Sequence, residues 1–390
     1  MTKSLYEFTI EELDRELIAR TAPGIKEEHF QFDHPEETPE RDEMMGRIKQ
    51  LYTAPPPKNK EMEHISTRDI IIVIKEKSRG KKKEDAEEMH DRGIIGEDDR
   101  MDFYELEAAL RNKRFLGESP GKESLEAQRD LADMENIKRN LDATAVICLA
   151  NCLESNNGFA ALRVRTLKER YGLCECERFA NQLTALGKMC TCFLVKDDVV
   201  ATAGHFLNEG RVEDMRIVFG FKMKNANTAI TTVPITNVYK VKKIIGKSHD
   251  RSGNAPDWGL LELDRKVENQ EIVKISTQEV AHGQSVYTLG HPAGLPLKFA
   301  TGASIHDSTN NHFFRADLDI FMGNSGSPVF DMKTHELIGL VAHGYSIDFR
   351  YVNNCLISVI YPPPKSEEKS QLAECTRNSA FRHLLDRDNN

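Results

Sequence analysis

The chain has 390 residues, of which 39% are hydrophobic and 29% charged, and its formal net charge is -9 at pH 7. This composition is typical of a folded protein. The length allows two or three domains, or one large domain with an appendage. The acidic balance argues against a general nucleic-acid binder, and the absence of any apolar run of about 18 residues argues against a membrane span.

The N-terminal region, residues 1–92, differs in texture from the rest of the chain. The residues around Thr9–Glu12 have the form of a capping box and predict a helix from about residue 10 to 20. Ile70–Ile74 is an apolar run that could form a buried strand, and Arg79–Asp91 is almost wholly charged. We interpret residues 1–92 either as a pro-segment or adaptor or as a partly disordered extension.

The first 20 residues carry acidic side chains where a secretory signal would have a basic stretch followed by an apolar one. We therefore expect a cytoplasmic location, although export by another route would also fit. The eight cysteines are too few for a scaffold built on disulfides, and their CxxxC and CxC spacings are not those of a zinc knuckle. Buried thiols or one or two disulfides are the favoured alternatives, and we expect no metal.

From about Ile94 the chain consists of short apolar runs, such as CFLVKDDVVATAG and SPVFDMKTHELIGLVAHG, that end at glycine, proline, asparagine or aspartate. This pattern predicts an all-β domain over residues 93–390, built as an antiparallel sandwich or barrel. We also expect a short helix near Arg165–Arg170 and a C-terminal helix between about residues 366 and 385.

The segment GNSGSPVF, Gly323–Phe330, is the strongest chemical signal in the chain. A nucleophilic serine needs a tight turn that exposes its hydroxyl, and glycines on either side permit such a turn. Ser325 occupies this place. The backbone N–H groups of Gly323 and Ser325 would then face a developing oxyanion.

Two further segments supply a base and an acid. In VVATAGHF, His205 follows an apolar strand, where a general base can be held rigidly. In DWGLLELDR, Asp257 precedes an apolar strand and could orient the imidazole. Taken alone, such a histidine or aspartate is usually structural, but the three segments together predict a catalytic triad.

The motifs TAGH, DWGLLELD and GNSGSPV resemble those of the trypsin-like serine peptidase superfamily, and in particular its bacterial branch related to glutamyl endopeptidases. GIIGEDDR at Gly93–Arg100 and CERFANQ before the histidine strand extend the resemblance to about residues 93–385. The resemblance implies two six-stranded antiparallel β-barrels with the active site between them, and no cofactor.

The chain departs from the family at two positions. Phe206 follows His205 where many relatives have a cysteine, so the usual disulfide to the position of Cys190 cannot form, and Cys190 is expected to be a buried thiol or to pair elsewhere. Asn324 stands where animal trypsins have an aspartate. We therefore do not expect activation through an ion pair with a new N-terminus.

The resemblance also assigns a specificity pocket. Asp319, six residues before Ser325, corresponds to the base of the pocket for the side chain that precedes the scissile bond, and a carboxylate there favours arginine or lysine. Glutamate-cleaving relatives have a histidine at the position of Val341. His343 and Gly344 belong to a segment that lines the cleft in relatives.

We therefore predict a serine endopeptidase that acts on protein or peptide substrates through an acyl-enzyme. The rival hypothesis is a catalytically silent trypsin-like scaffold that uses residues 1–92 as a protein-binding module. The presence of all three groups, His205, Asp257 and Ser325, argues against the scaffold.

Overall fold

A computed structural model describes residues 94–95, 98–106, 125–249, 255–343, 348–352, 355–361 and 372–385. The α-helices with defined ends in these residues are α1 (Leu125–Asp142), α2 (Leu167–Tyr171) and α3 (Arg382–Leu385). In chain order the strands are β1 (Ile94–Ile95), β2 (Arg100–Met101), β3 (Thr144–Leu149), β4 (Leu153–Asn156), β5 (Phe159–Leu162), β6 (Val164–Thr166), β7 (Leu183–Ala185), β8 (Met189–Lys196), β9 (Val199–Thr202), β10 (Met215–Phe219), β11 (Met223–Asn225), β12 (Thr228–Ala229), β13 (Thr232–Pro234), β14 (Val238–Ser248), β15 (Trp258–Leu263), β16 (Ser285–Gly290), β17 (Lys298–Asp307), β18 (Phe313–Ala316), β19 (Pro328–Asp331), β20 (Leu337–His343), β21 (Phe349–Val352), β22 (Cys355–Ser358), β23 (Ile360–Tyr361) and β24 (Ala373–Arg377).

The first barrel is closed by six strands in the order β10-β14-β15-β9-β8-β3. Strands β8 and β9 are buried along nearly their whole length, which explains why the sequence shows them as continuous apolar runs. Strand β14 alternates at its start between buried and exposed residues, because one of its faces meets solvent. His205 lies three residues after the end of β9, and Asp257 lies immediately before β15.

The second barrel contains six strands in the order β16-β19-β20-β24-β18-β17, and a pairing between β16 and β17 closes it. Strand β2 adds to the edge at β17. All pairings around both barrels are antiparallel. The predicted pair of six-stranded antiparallel barrels is confirmed.

One hydrophobic cluster spans both barrels. It joins Phe193 and Leu261 of the first barrel to Tyr287, Phe299 and Phe330 of the second. The ring of Tyr287 lies 5.1 Å from that of Phe330 and 5.3 Å from that of Phe299, measured between centroids. Because this core is continuous, it fixes the strand ends of one barrel relative to the loops of the other.

Helix α1 is an element that the sequence interpretation missed, since the region after Ile94 was expected to contain short strands. Ile137 and Leu141, four residues apart, bury one helical face in the shared core. Asn140 donates hydrogen bonds to the hydroxyl of Tyr287 at 2.8 Å and to the carbonyl of His335 at 2.9 Å. In the sequence, most other residues of this helix are polar or charged, so the apolar pattern that would predict a helix is weak.

The C-terminal prediction was wrong in part. Residues 373–377 form β24, which lies between β18 and β20 in the second barrel, and only Arg382–Leu385 is α-helical. Every residue of β24 is buried, so pairing on both edges outweighs local helical preference. The helix expected near Arg165–Arg170 is present as α2, which begins at a capping box formed by Thr166 and Glu169.

Of the open alternatives for the cysteines, the structure contains a disulfide between Cys174 and Cys355, and Cys190 is buried. No helix within the described residues is both long and apolar enough to cross a membrane. The described residues all belong to the unit Met89–Asn390. The helix and strand predicted within residues 1–92 lie outside the described residues, and the domain boundary at residue 92 stays a prediction.

Candidate active site

His205 follows β9 and begins a 3₁₀-helix, His205–Asn208. A Cβ atom on the preceding residue, Gly204, would lie 2.2 Å from the carbonyl oxygen of Ser248 and 2.6 Å from that of Trp258. Backbone atoms cannot yield by that much, so only glycine allows the chain to turn here. The turn leaves the side chain of His205 26% exposed.

Asp257 immediately precedes β15, its side chain is fully buried, and it contacts His205 twice. Its Oδ2 is 2.6 Å from Nδ1 of His205, and its Oδ1 accepts the backbone N–H of His205 at 2.9 Å. An ionised carboxylate can only accept, so Nδ1 is the donor and Nε2 is the nitrogen left to take a proton.

The environment keeps Asp257 ionised. Burial opposes the ionisation of this carboxyl, but the hydrogen bond and charge of His205, with the charge of His343, outweigh burial and hold the pKa of Asp257 below its usual value. A carboxylate that stays charged can orient a neighbouring imidazole and stabilise it when it gains a proton.

Thr376 fixes the backbone of Asp257 from the other barrel. Its hydroxyl accepts the N–H of Asp257 at 3.1 Å and donates to the carbonyl of Asp257 at 2.9 Å. Thr376 lies on β24, so the second barrel positions the acid carried by the first. The sequence interpretation did not identify Thr376, because nothing near it in the chain points to a partner 119 residues away.

Two more histidines surround the same carboxylate. Nε2 of His343 lies 3.4 Å from Oδ2 of Asp257, and Nδ1 of His249 lies 3.7 Å from Oδ1. The ring of His205 is stacked at 5.6 Å from that of His343 and lies edge-on at 5.8 Å from that of His249. His343 was a predicted pocket residue, whereas His249, the residue after β14, was not predicted to have a role.

Ser325 lies in the loop before β19, between two glycines whose surroundings exclude a side chain. Gly323 has φ +103°, and a Cβ there would lie 2.4 Å from the carbonyl oxygen of His291. Gly326 has φ +81°, and its Cβ would lie 2.2 Å from the carbonyl oxygen of Thr191. Positive φ and close backbone packing together require glycine at both positions.

Thr191, on β8 of the first barrel, donates two hydrogen bonds to this loop and accepts a third from His291. Its hydroxyl donates to the carbonyl of Gly323 at 2.8 Å and accepts the N–H of His291 at 3.1 Å. Its backbone N–H donates to the carbonyl of Ser325 at 3.0 Å. The sequence interpretation missed Thr191, although a polar residue between Cys190 and Cys192 in a buried strand was the one available signal.

His205 and Ser325 line the same cleft, which has a volume of about 400 Å³. Gly323 and Met322 form part of its wall, and Met322 is 50% exposed. Arg170, Lys188 and Glu209 also line it, and Lys188 forms an ion pair with Glu209. His205, Ser325 and Gly323 of the predicted oxyanion loop therefore line one cleft.

None of the predicted specificity residues that the structure describes, Asp319, Val341 and His343, lines this cleft. Asp319 is 3% exposed, and its Oδ2 accepts the backbone N–H of Asp99 at 2.9 Å. Val341 packs in the core of the second barrel, and its backbone exchanges hydrogen bonds with Gly326 and Ser327. Gly344 lies outside the described residues.

The family model described as "Trypsin-like peptidase domain" matches residues 190–340, which include His205, Asp257 and Ser325. No curated protein matches the chain closely enough to count as a relative. The finer resemblance to bacterial glutamyl endopeptidases stays a prediction.

Solved structures with a similar arrangement include two bacterial proteins. The inactive form of Rv3671c from M. tuberculosis H37Rv is 11% identical, with 65% of this chain and 89% of that chain covered and a TM-score of 0.37. The serine endoprotease from Yersinia pestis is 12% identical, with 69% and 67% covered and a TM-score of 0.39. The family match and the two closed barrels identify residues 190–340 as part of a trypsin-like peptidase domain.

Proposed function

We propose that Ser325, His205 and Asp257 form the catalytic triad of this peptidase. The observation that carries the proposal is the 2.6 Å contact between Nδ1 of His205 and Oδ2 of Asp257, together with the position of His205 and Ser325 in one cleft. In the neutral imidazole, this contact places the proton on Nδ1. Nε2 is then the unprotonated nitrogen that a general base requires.

The reaction is acyl transfer. The Ser325 hydroxyl attacks the peptide carbonyl while Nε2 of His205 takes its proton, and His205 then gives that proton to the leaving amine. Water attacks the resulting ester with the same base, which releases the acid and restores Ser325. The ionised Asp257 stabilises the imidazolium in both halves of the reaction.

The N–H groups of Gly323 and Ser325 are the proposed oxyanion donors. The loop that carries them is supported by Thr191 and by the close approach of Gly323 to the carbonyl of His291. Pre-positioned donors matter because they do not have to reorganise as charge develops, and one such donor contributes about 3 to 4 kcal/mol to transition-state stabilisation.

We also propose cleavage after arginine or lysine, on the strength of the Asp319 carboxylate. Asp319 is buried outside the Ser325 cleft, and one of its oxygens accepts the N–H of Asp99, so the proposal requires the substrate side chain to reach this carboxylate. The test compares kcat/KM for matched peptides with arginine, lysine or glutamate before the scissile bond. Replacing Asp319 by asparagine should lower the preference for the basic residues, whereas an unchanged preference would remove Asp319 from the pocket.

The same peptides separate the enzyme from a catalytically silent scaffold. The purified full chain should cleave at least one of them, and Ser325→Ala should cleave none. Cleavage of no peptide by either protein, in full-length chains and in chains shortened to residues 93–390, would favour the scaffold.

A further inference from the structure

Three imidazoles surround the single carboxylate of Asp257. The ring centroids of His205, His249 and His343 are 5.6 to 6.0 Å apart, and each ring has a nitrogen within 3.7 Å of a carboxylate oxygen. The proposed mechanism uses only His205. The other two rings, which lie beside the reacting base, therefore need a separate explanation.

His249 provides the strongest indication of a ligand. Its side chain is 15% exposed, and its Nδ1 is buried with no hydrogen-bond partner among the described residues. At 3.7 Å, Oδ1 of Asp257 is too distant to accept a hydrogen bond from this nitrogen. A buried polar nitrogen without a partner is costly, and an ion bound between it and the carboxylate would satisfy both.

The atoms facing this gap are those that zinc prefers. Imidazole nitrogen and carboxylate oxygen bind Zn²⁺ at about 2.0 to 2.2 Å, so two ligands of a tetrahedral site lie roughly 3.4 Å apart. The separation of 3.7 Å between His249 and Asp257 is close to this value. Three potential ligand atoms, one from each of His205, His249 and Asp257, lie within 4.8 Å of one another. Small side-chain movements would therefore bring them around one ion.

We propose that His205, His249 and Asp257 form an inhibitory Zn²⁺ site, with His343 beside it. The inhibitory part rests on the proposed function. A zinc ion on Nδ1 of His205 displaces the hydrogen bond to Asp257 and leaves the imidazole proton on Nε2, which then cannot accept the proton of Ser325. Zinc and catalysis therefore exclude each other.

Binding is tested directly, without relying on activity, in the full-length Ser325→Ala protein. Isothermal titration calorimetry with zinc chloride should show a site that weakens at least about tenfold when His249 is replaced by glutamine. His383→Gln is the matched control, because it removes an exposed histidine on α3 and should leave the affinity unchanged. Magnesium chloride should not compete, since Mg²⁺ prefers oxygen ligands.

A Co²⁺ spectrum identifies the ligands independently. Cobalt in the Ser325→Ala protein should give the visible absorption of a four-coordinate site, without the near-ultraviolet band of thiolate ligands, and His343→Gln should perturb that absorption without abolishing it. A thiolate band would assign the metal to cysteines and overturn the proposal. Equal zinc affinity in the His249→Gln and parent proteins would also overturn it.

Inhibition by zinc is tested with the native enzyme. Zinc should reduce peptide cleavage reversibly, chelation should restore it, and His249→Gln should raise the inhibitory zinc concentration at least about tenfold relative to its own metal-free rate. Zinc binding in Ser325→Ala without any peptidase activity in the native chain would refute the proposed function and leave the zinc site standing. Peptidase activity without zinc binding would refute only the zinc site.

Discussion

The hydroxyl of Thr191 donates a hydrogen bond to the carbonyl of Gly323 at 2.8 Å, and this bond joins a strand of the first barrel to the Ser325 loop of the second. The same hydroxyl accepts the N–H of His291. Thr191 is fully buried, so water cannot replace these partners. A side chain outside the proposed triad therefore helps to position Ser325 and the proposed oxyanion donors.

Replacing Thr191 by valine should lower kcat by about tenfold or more and destabilise the domain by about 1 to 3 kcal/mol, because it leaves two buried polar groups without partners. Thr191→Ser retains the hydroxyl and should recover most of the activity. Steady-state kinetics and urea unfolding measure the two effects. A valine variant with native kcat would mean that the loop holds its shape without this bond.

Asp257→Asn should reduce kcat by about 10⁴-fold with little change in KM, because an amide donor facing Nδ1 of His205 stabilises the wrong tautomer. Asp264→Asn, near the other end of β15, is the matched control and should retain activity. A loss of less than about tenfold in Asp257→Asn would show that His205 does not depend on this carboxylate.

Comparing substitutions at two glycines distinguishes the effect of a steric clash from the effect of backbone strain. Gly283 and Gly326 have similar φ values, +75° and +81°, but a Cβ at Gly283 meets nothing within 4 Å, whereas one at Gly326 would lie 2.2 Å from the carbonyl oxygen of Thr191. Gly283→Ala should cost about 1 to 2 kcal/mol of unfolding free energy and leave kcat intact. Gly326→Ala should cost more and abolish activity, and equal effects at both sites would contradict the packing seen around Ser325.

His291 should make the protein sensitive to acid. Burial is the main cause that lowers the pKa of His291 to about 3, with a further contribution from the charge of Lys298 and partial opposition from the carbonyl of Leu295. Below its unfolded pKa of about 6.5, the unfolded chain takes up a proton that the folded chain does not. This residue therefore removes up to about 1.4 kcal/mol of unfolding free energy per pH unit as the pH falls from about 6 to 4.

The test compares wild-type protein with His291→Gln by chemical denaturation across this pH range. The variant should show a slope that is shallower by about one proton, because glutamine does not titrate. Equal slopes would mean that His291 is protonated in the folded chain.

The sequence predicted those features that depend on local chain geometry. TAGH, DWG and GNSGS each place a functional side chain at a strand end or tight turn, and the steric limits at Gly204, Gly323 and Gly326 explain why these motifs carry glycine. The apolar runs of β8 and β9 were equally visible. The two-barrel fold followed from such runs together with the family resemblance.

The features that the sequence did not predict depend on contacts between distant segments. Thr191 and Thr376 form hydrogen bonds with partners more than 100 residues away. His249 becomes a candidate functional residue only because the fold places it beside Asp257. Strand β24 forms because both neighbouring strands pair with it, and α1 hides its narrow apolar face among charged residues. No local sequence pattern predicts these contacts.

The most direct measurement of the central claim is intact-mass and peptide-mass analysis after treatment with a fluorophosphonate. The proposed triad predicts one adduct per chain, on Ser325, that is absent in Ser325→Ala and forms far more slowly in His205→Ala. An adduct that persists in Ser325→Ala, or that forms at the same rate without His205, would contradict the proposal that His205 activates Ser325.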